Sequence, residues 1–246
     1  MRLDDERHPR RLLSDWVRSR NDRYLTQFVE RFEVCPFAAK CRTDGKLRRK
    51  MTWLNDPQDI TRATVAVEEL EALNEAEPVE VALLVCAGLR GLTVEQFATF
   101  HEGLRAAYQR RFDAPAFYVV PFHPEQRAKV HTASGLVPFW RRSPEPTLQF
   151  VSVSLLHRIR RGDHQRDPSH LALQLAAAGL PPEEILARLE RQPNHLATSE
   201  RVAQANLKTF QAHEQALEEV LRELTNGAPP VDADARWADS EWEVVG

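Results

Sequence analysis

The sequence predicts an α/β (or α+β) fold: a central sheet of about four strands, flanking helices and a helical C-terminal part. Three observations carry this expectation. Two apolar runs bounded by turn residues, PVEVALLVCAG at 78–88 and APAFYVVPFHP at 114–124, read as buried strands. Stretches of helical periodicity alternate with strands over residues 1–156, the pattern of layered α/β domains. After Leu155 only helical patterns remain.

The elements follow in order. Over residues 10–33, Leu13, Trp16, Val17, Tyr24, Phe28 and Phe32 recur at helical spacing. Pro36 ends that helix, because the residue before a proline is pushed out of the helical region. LRRKMTWL at 47–54 reads as a strand, and Asp56-Pro57 opens a helix to about Asn74. The strand at 78–88 comes next, and Thr93 caps a helix that runs to about Phe112. The strand at 114–124 ends in Phe122-His123-Pro124. A proline-bearing loop leads to TLQFVSVSLL at 147–156, which alternates as a strand does. Short helices are expected at 157–161 and 168–178, a third from Pro181-Pro182, and a long one from about Thr198 to Leu224, stopped by Asn226-Gly227. This gives three segments: an α/β core at 1–156, a helical extension at 157–226 packed on it, and an acidic tail at 227–246. The tail reads as loose, with Trp237 and Trp242 as the residues through which it could dock.

Composition excludes several classes. No run approaches the ~20 apolar residues of a membrane span, and MRLDDERHPRR lacks the apolar core of a secretory signal. Three cysteines argue against a disulfide framework, so the expected location is the cytoplasm. Residues 1–50 hold 14 Lys/Arg against 8 Asp/Glu, residues 127–166 hold 8 against 2, and the tail from Ala228 holds 1 against 5. The basic segments could line an anion site or form solvated faces. A net charge of −3, with no aromatics interleaved among the basic residues, argues against nucleic acid.

Three clusters could carry chemistry. In Cys35-Pro36-Phe37-Ala38 the proline restricts the chain beside a thiol. Cys35 falls at a helix C-terminus, where the dipole disfavours a thiolate, although Lys40 and Arg42 are near in sequence. Zinc is excluded by spacing, because Cys35 and Cys41 lack a second pair. A lone thiolate suits a haem axial position better, and a buried structural thiol is the plain alternative. His123 lies past the end of a strand, where α/β sheets gather ligands, and could serve as acid, base or ligand. In Arg141-Arg142-Ser143-Pro144-Glu145-Pro146-Thr147, two guanidinium forks and a hydroxyl on a stiffened loop suit a carboxylate or phosphate. A polar turn is the alternative there. No GxGxxG, P-loop, HExxH or GxSxG motif occurs.

In this order the clusters Cys35-Pro36-Phe37-Ala38, Phe122-His123-Pro124 and Arg142-Ser143-Pro144-Glu145-Pro146-Thr147 resemble an uncharacterised bacterial family, domain of unknown function 1415, over roughly Trp16 to Leu156. The family implies no activity. A second similarity points to the haem-containing YqcI/YcgG-like group, which includes N-oxygenating biosynthetic enzymes. In that group the order of proline and cysteine differs from Cys35-Pro36.

The leading expectation is a small-molecule oxidoreductase with a haem-type or similar metal cofactor, acting on a carboxylate-bearing, amino-acid-like metabolite. Cys35 would be the metal ligand, His123 an acid/base or substitute ligand, and Arg141, Arg142 and Ser143 the carboxylate holders. The alternatives are a cofactor-free enzyme on an anionic metabolite, with Cys35 as nucleophile and His123 as base, and a non-catalytic anion- or partner-binding module. The C-terminal helix offers a homodimer contact or a core-packing face.

Overall fold

In the computed structural model of this chain, the structure describes residues 3–53, 56, 58, 60–89, 91–128, 132–164, 181, 198–227 and 239–246. The helices expected at 168–178 and from Pro181-Pro182, and the dock expected of Trp237, lie outside these residues.

The first helix, α1 (Leu3–Arg23), runs into a π-helix (Tyr24–Glu30) and then α2 (Ala38–Thr43). Strand β1 (Leu47–Thr52), α3 (Ile60–Ala76), β2 (Val81–Cys86), α4 (Val94–Arg111) and β3 (Phe117–Phe122) alternate as the sequence pattern requires. The short α5 (Val137–Trp140) interrupts the proline-bearing loop before β4 (Thr147–Ser152). Two further helices, α6 (Val153–His164) and α7 (Thr198–Thr225), and a two-residue β5 (Glu243–Val244) complete the described elements. The strand expected to reach 156 stops at Ser152. Ser152 Oγ accepts from the Leu155 amide at 3.5 Å, a side-chain contact at the start of the helix that replaces it. Thr93 caps α4 through a full capping box with Gln96.

The sheet is mixed, in the order β3-β4-β2-β1-β5. β1 and β2 are parallel, and β4 runs antiparallel to both β2 and β3. Two apolar clusters sandwich it. On one face Leu47, Met51, Leu83 and Val85 meet α1, the π-helix, α5 and α7. On the other Ala82, Leu84, Phe117 and Phe150 meet α3 and α4. With both faces covered, β2 is almost continuously apolar. On α7, Leu217, Leu221 and Leu224 are spent in the first cluster, so the apolar face considered for a dimer is covered by the chain itself.

The tail is not loose over its last eight residues. Asp239 to Val245 lie along β1, with β5 pairing Arg49↔Glu243 and Arg48↔Val244 antiparallel. The acidic, proline-bearing composition of the tail masked the short strand-forming run Trp242-Glu243-Val244-Val245, which β1 pairs with.

Charge is built into the layers. All six β1 residues are buried, including Arg48, Arg49 and Lys50. Arg20 of α1 and Glu145 of the loop before β4 form a buried ion pair at 3.4 Å. Removing one member of such a pair strands the other charge in a dry setting, at a cost of about 3–5 kcal/mol. Glu145→Ala is therefore expected to lower unfolding free energy by that order in a urea titration, and Arg20→Met with Glu145→Leu to recover most of it. A double variant as unstable as the single one would show that the pair's charges do not matter.

Candidate functional site

The structure divides the three sequence clusters between opposite ends of the sheet. Phe122 pairs with Thr147, and Val85 pairs with the same residue, so His123 and the arginine loop sit where β1 and β2 end. Cys35 lies on a cleft with Lys46 and Glu80, the residues just before β1 and β2. The six-residue strands between them are roughly 17 Å long. Direct proton transfer needs contact near ~3 Å or one bridging water, so Cys35 and His123 are not brought together as nucleophile and base.

At the far end, each expected site residue has structural work. His123 is 1% exposed. Its Nε2 bonds the Leu92 carbonyl at 3.0 Å and its Nδ1 accepts from the Glu125 amide at 3.2 Å. That pattern fits the neutral ring protonated at Nε2, and burial pushes its pKa down. Phe97 packs against it. Ser143, also 1% exposed, donates to the Glu145 carbonyl at 2.6 Å. Arg142 clasps Glu218 of α7 at 2.9 Å and covers the Phe139 ring. Arg141 is half-buried and its pKa is lowered by that burial. Among the described residues its guanidinium has no hydrogen bond or ion pair. The backbone of this loop ties the end of the sheet together: the His123 amide donates to the Arg141 carbonyl and the Cys86 amide to the Pro146 carbonyl.

The Cys35 end is different. The cleft has a volume of about 1060 Å³. Its walls come from the turn after the π-helix, α2, the starts of β1 and β2, α6 and α7. Two backbone irregularities meet at its edge. The π-helix of seven residues is a form that concentrates at functional sites. Glu33, at φ 51, is the only non-glycine with positive φ among the described residues, and costs on the order of 1 kcal/mol. Asn206 of α7, nearly buried, donates to the Val34 carbonyl at 3.1 Å and pins the turn.

Cys35 is the half-exposed thiol, while Cys41 and Cys86 are buried. The Phe37 and Ala38 backbone N–H groups lie near the Cys35 sulfur and favour the thiolate, and the Ala38 amide donates to the Cys35 carbonyl at 3.2 Å. The sequence placed Cys35 at a helix C-terminus. In space it also opens the turn into α2, whose first amides face the sulfur. The cations expected to assist it do not: Lys40 is bound to Asp44 at 2.7 Å and Arg42 to Glu30 at 2.7 Å. Burial dominates, so the Cys35 pKa is raised despite the two amide donors. Burial likewise pushes Cys41 up to about 12. Tyr24 is buried beside the thiol and its own pKa is raised, by burial first and by Cys35 second.

Across the cleft, Glu80 receives both Lys46 at 2.9 Å and Arg158 at 2.5 Å. Burial raises the Glu80 carboxyl, and the two cations more than reverse that, so it is ionised. Two cations thus share one carboxylate here, while over the whole cleft four cations (Lys40, Lys46, Arg158, Arg201) balance four carboxylates (Glu30, Glu33, Asp44, Glu80). Apolar surface from Phe37, Leu155, Ile159 and Val202 lies alongside. The sequence reading missed Tyr24, Lys46, Glu80, Arg158 and Asn206. Its only available signal was that Lys46 and Glu80 each directly precede one of two parallel strands. Among the described residues no group of three His, Cys, Asp or Glu side chains could hold a metal ion, and no helix is long and apolar enough to cross a membrane.

The chain belongs to the family described as protein of unknown function DUF1415, whose model matches residues 17–163, more than half of the sequence. The match confirms the resemblance carried by the three motifs and does not extend to the haem-containing group. No curated protein and no solved structure matches the chain.

The neutral, buried His123 makes stability depend on pH with a definite sign. Its folded pKa lies below the ordinary value of about 6.5, so in the interval between them the unfolded chain holds the extra proton. Stability is full above about pH 6.5 and falls as the pH drops. His101, which bonds the Val119 carbonyl and is shifted the same way by burial, adds to the slope. Thermal unfolding between pH 7.5 and 5.5 should show a falling Tm, with a shallower fall in His123→Asn. An identical slope in that variant would place the titration elsewhere.

Proposed function

We propose that the Cys35 cleft is the functional site of this chain, and that it binds a small molecule through a carboxylate or phosphate group. One observation carries the reading. Two cations, Lys46 and Arg158, share the single carboxylate of Glu80 in the same cleft as the partly exposed Cys35 thiol. The anionic group would meet Lys46 and Arg158, and the apolar side of the ligand would lie on Phe37, Leu155 and Val202. Charged-group recognition of this kind falls with salt.

A second, more specific reading is a haem-type cofactor that Cys35 would ligate, in a small-molecule oxidoreductase; the partly exposed thiol on the cleft is what supports it. A thiol kept protonated by burial is a poor free nucleophile at neutral pH. A metal ion would displace its proton, and the Phe37 and Ala38 amides would then hydrogen-bond the thiolate. In this reading Lys46 and Arg158 would hold a propionate, and Phe37, Leu155, Ile159 and Val202 would cover the macrocycle. Bound haem would supply the redox chemistry; the chain's residues would hold it and exclude water.

Three measurements test these readings. Limiting N-ethylmaleimide on the folded protein should label Cys35 and spare Cys41 and Cys86. Because the Cys35 pKa is raised, the rate should be slow at pH 7 and keep climbing beyond pH 9. Labelling at pH 7 faster than a simple thiol would contradict the buried-thiol state. Titration with haem should then give a Soret band that Cys35→Ala shifts or abolishes. Absence of a band removes the haem reading. The anion reading stands separately: a carboxylate or phosphate ligand found by thermal-shift screening should bind on the order of tenfold more weakly to Arg158→Ala. Equal binding would sink it.

A further inference from the structure

The C-terminal octapeptide Asp239-Ser240-Glu241-Trp242-Glu243-Val244-Val245-Gly246 sits on the β1 edge as a ligand sits in a groove. Each end of it is held. The Asp239 carboxylate accepts from the Trp53 amide at 2.9 Å, from Thr52 Oγ1 at 3.0 Å and from Arg62 at 3.0 Å. Ser240 exchanges two bonds with the Met51 backbone, at 2.8 and 2.9 Å. The Glu243 carboxylate accepts from Arg49 at 2.8 Å and from Arg18 at 3.2 Å. The Val245 amide donates to the Leu47 carbonyl at 3.1 Å.

The side chains alternate across the sheet as a strand's must. Trp242 packs on the cluster under α3 and donates Nε1 to the Ala66 carbonyl at 3.1 Å, whereas Val245 is buried in the opposite cluster. Main-chain bonds therefore give affinity, while two apolar seats and two cationic seats select the sequence, the logic of strand addition. The groove residues Arg18, Leu47, Arg49, Thr52, Trp53, Arg62 and Ala66 all fall within the family match at 17–163; the octapeptide falls outside it.

We propose that the β1 edge is a peptide-binding groove for an extended acidic segment of pattern Asp-Ser-x-Trp-Glu-x-Val, filled here by the chain's own tail and open in exchange to residues 239–246 of a second copy. A second copy carries the matching charges and apolar anchors by identity. Residues 228–238 link the peptide to α7, and eleven residues can extend to roughly 36 Å, far enough to reach a neighbouring chain. An unpaired strand edge with buried cations has every reason to recapture such a segment.

The test cuts the link in a folded protein. A protease site is placed within 228–238 of the full chain, the folded protein is cleaved, and a fluorescent synthetic peptide, DSEWEVVG, is added as the probe for a second copy's tail. Uptake measured by fluorescence polarisation is expected, and a peptide with Glu243→Lys should bind on the order of tenfold more weakly or worse. The full chain carrying Trp242→Ala and Glu243→Lys should take the wild-type peptide without cleavage, which guards against damage from the inserted site. Sedimentation of the unaltered chain should show a dimer fraction that grows with concentration and is lost in the double variant. No peptide uptake by either protein, or equal uptake of the Glu243→Lys peptide, overturns the groove. A chain that stays monomeric at every concentration overturns the exchange between copies.

Discussion

Strand β1 imposes the constraint on which the rest of the molecule is arranged. It lies inside the sheet, all six of its residues are buried, and three are cations. Each cation must find a carboxylate without leaving the strand. Arg48 reaches Glu77 just past the end of α3 and Lys50 reaches Glu69 on α3; Arg49 reaches Asp22 on α1 and Glu243 on the tail. The helices on both faces and the terminal strand are thereby fixed in register with β1. The carboxylates keep part of their surface in water, from 63% of the side chain at Glu77 to 31% at Glu243. The charged heads extend toward solvent while their stems are covered, which limits the desolvation cost that makes fully buried pairs a poor source of stability.

The Arg20–Glu145 pair lacks that relief, since both side chains are almost wholly buried. Its value lies in specification. It locks α1 to the loop whose carbonyls receive the His123 and Cys86 amides, and so fixes how the proline-bearing segment enters β4. The motif Arg142-Ser143-Pro144-Glu145-Pro146-Thr147 is thus explained by folding needs: Ser143 and Thr147 both close on the Glu145 carbonyl. Prolines on either side of a buried glutamate hold its backbone where that carboxylate meets Arg20.

The sheet and its helices were legible because their signals are local. The apolar run of β2, the Thr93 capping box and the periodicity of α7 each depend on neighbours in sequence. The site was less legible because its determinants are distant. His123 was correctly placed past a strand, but what occupies its ring is the Leu92 carbonyl and the Glu125 amide, and nothing in Phe-His-Pro announces the first. The polarity of the Cys35 environment was misjudged for a similar reason. The sequence shows a helix ending before Pro36, but not that the chain turns at once into α2 with its amides facing the sulfur. The π-helix and the strained Glu33 have no signature in side-chain periodicity. The tail was read as loose because its acidic, proline-bearing composition outweighed the short Trp242–Val245 run, while the partners that fix it, Arg49, Arg18 and Arg62, are distant in sequence.

The separation of the two ends of the sheet also decides how the Cys35 cleft can respond to a ligand. At the far end, polar groups are enclosed and mostly satisfied by backbone, so they resist change. At the Cys35 end the walls come from six separate segments, held by single contacts such as Asn206 to Val34 and by the shared carboxylate of Glu80. Glu80 also donates its backbone amide to the Lys46 carbonyl and accepts from the Ser152 amide, so it joins the starts of β1 and β2 to the end of β4. An anion that drew Lys46 and Arg158 from Glu80 would leave that carboxylate half-buried and less neutralised, opposing its own binding. A ligand that instead added to the cluster would complete it, with two cations shared between two anions. On the proposed reading, an anionic ligand would therefore bridge Lys46 and Arg158 without displacing Glu80.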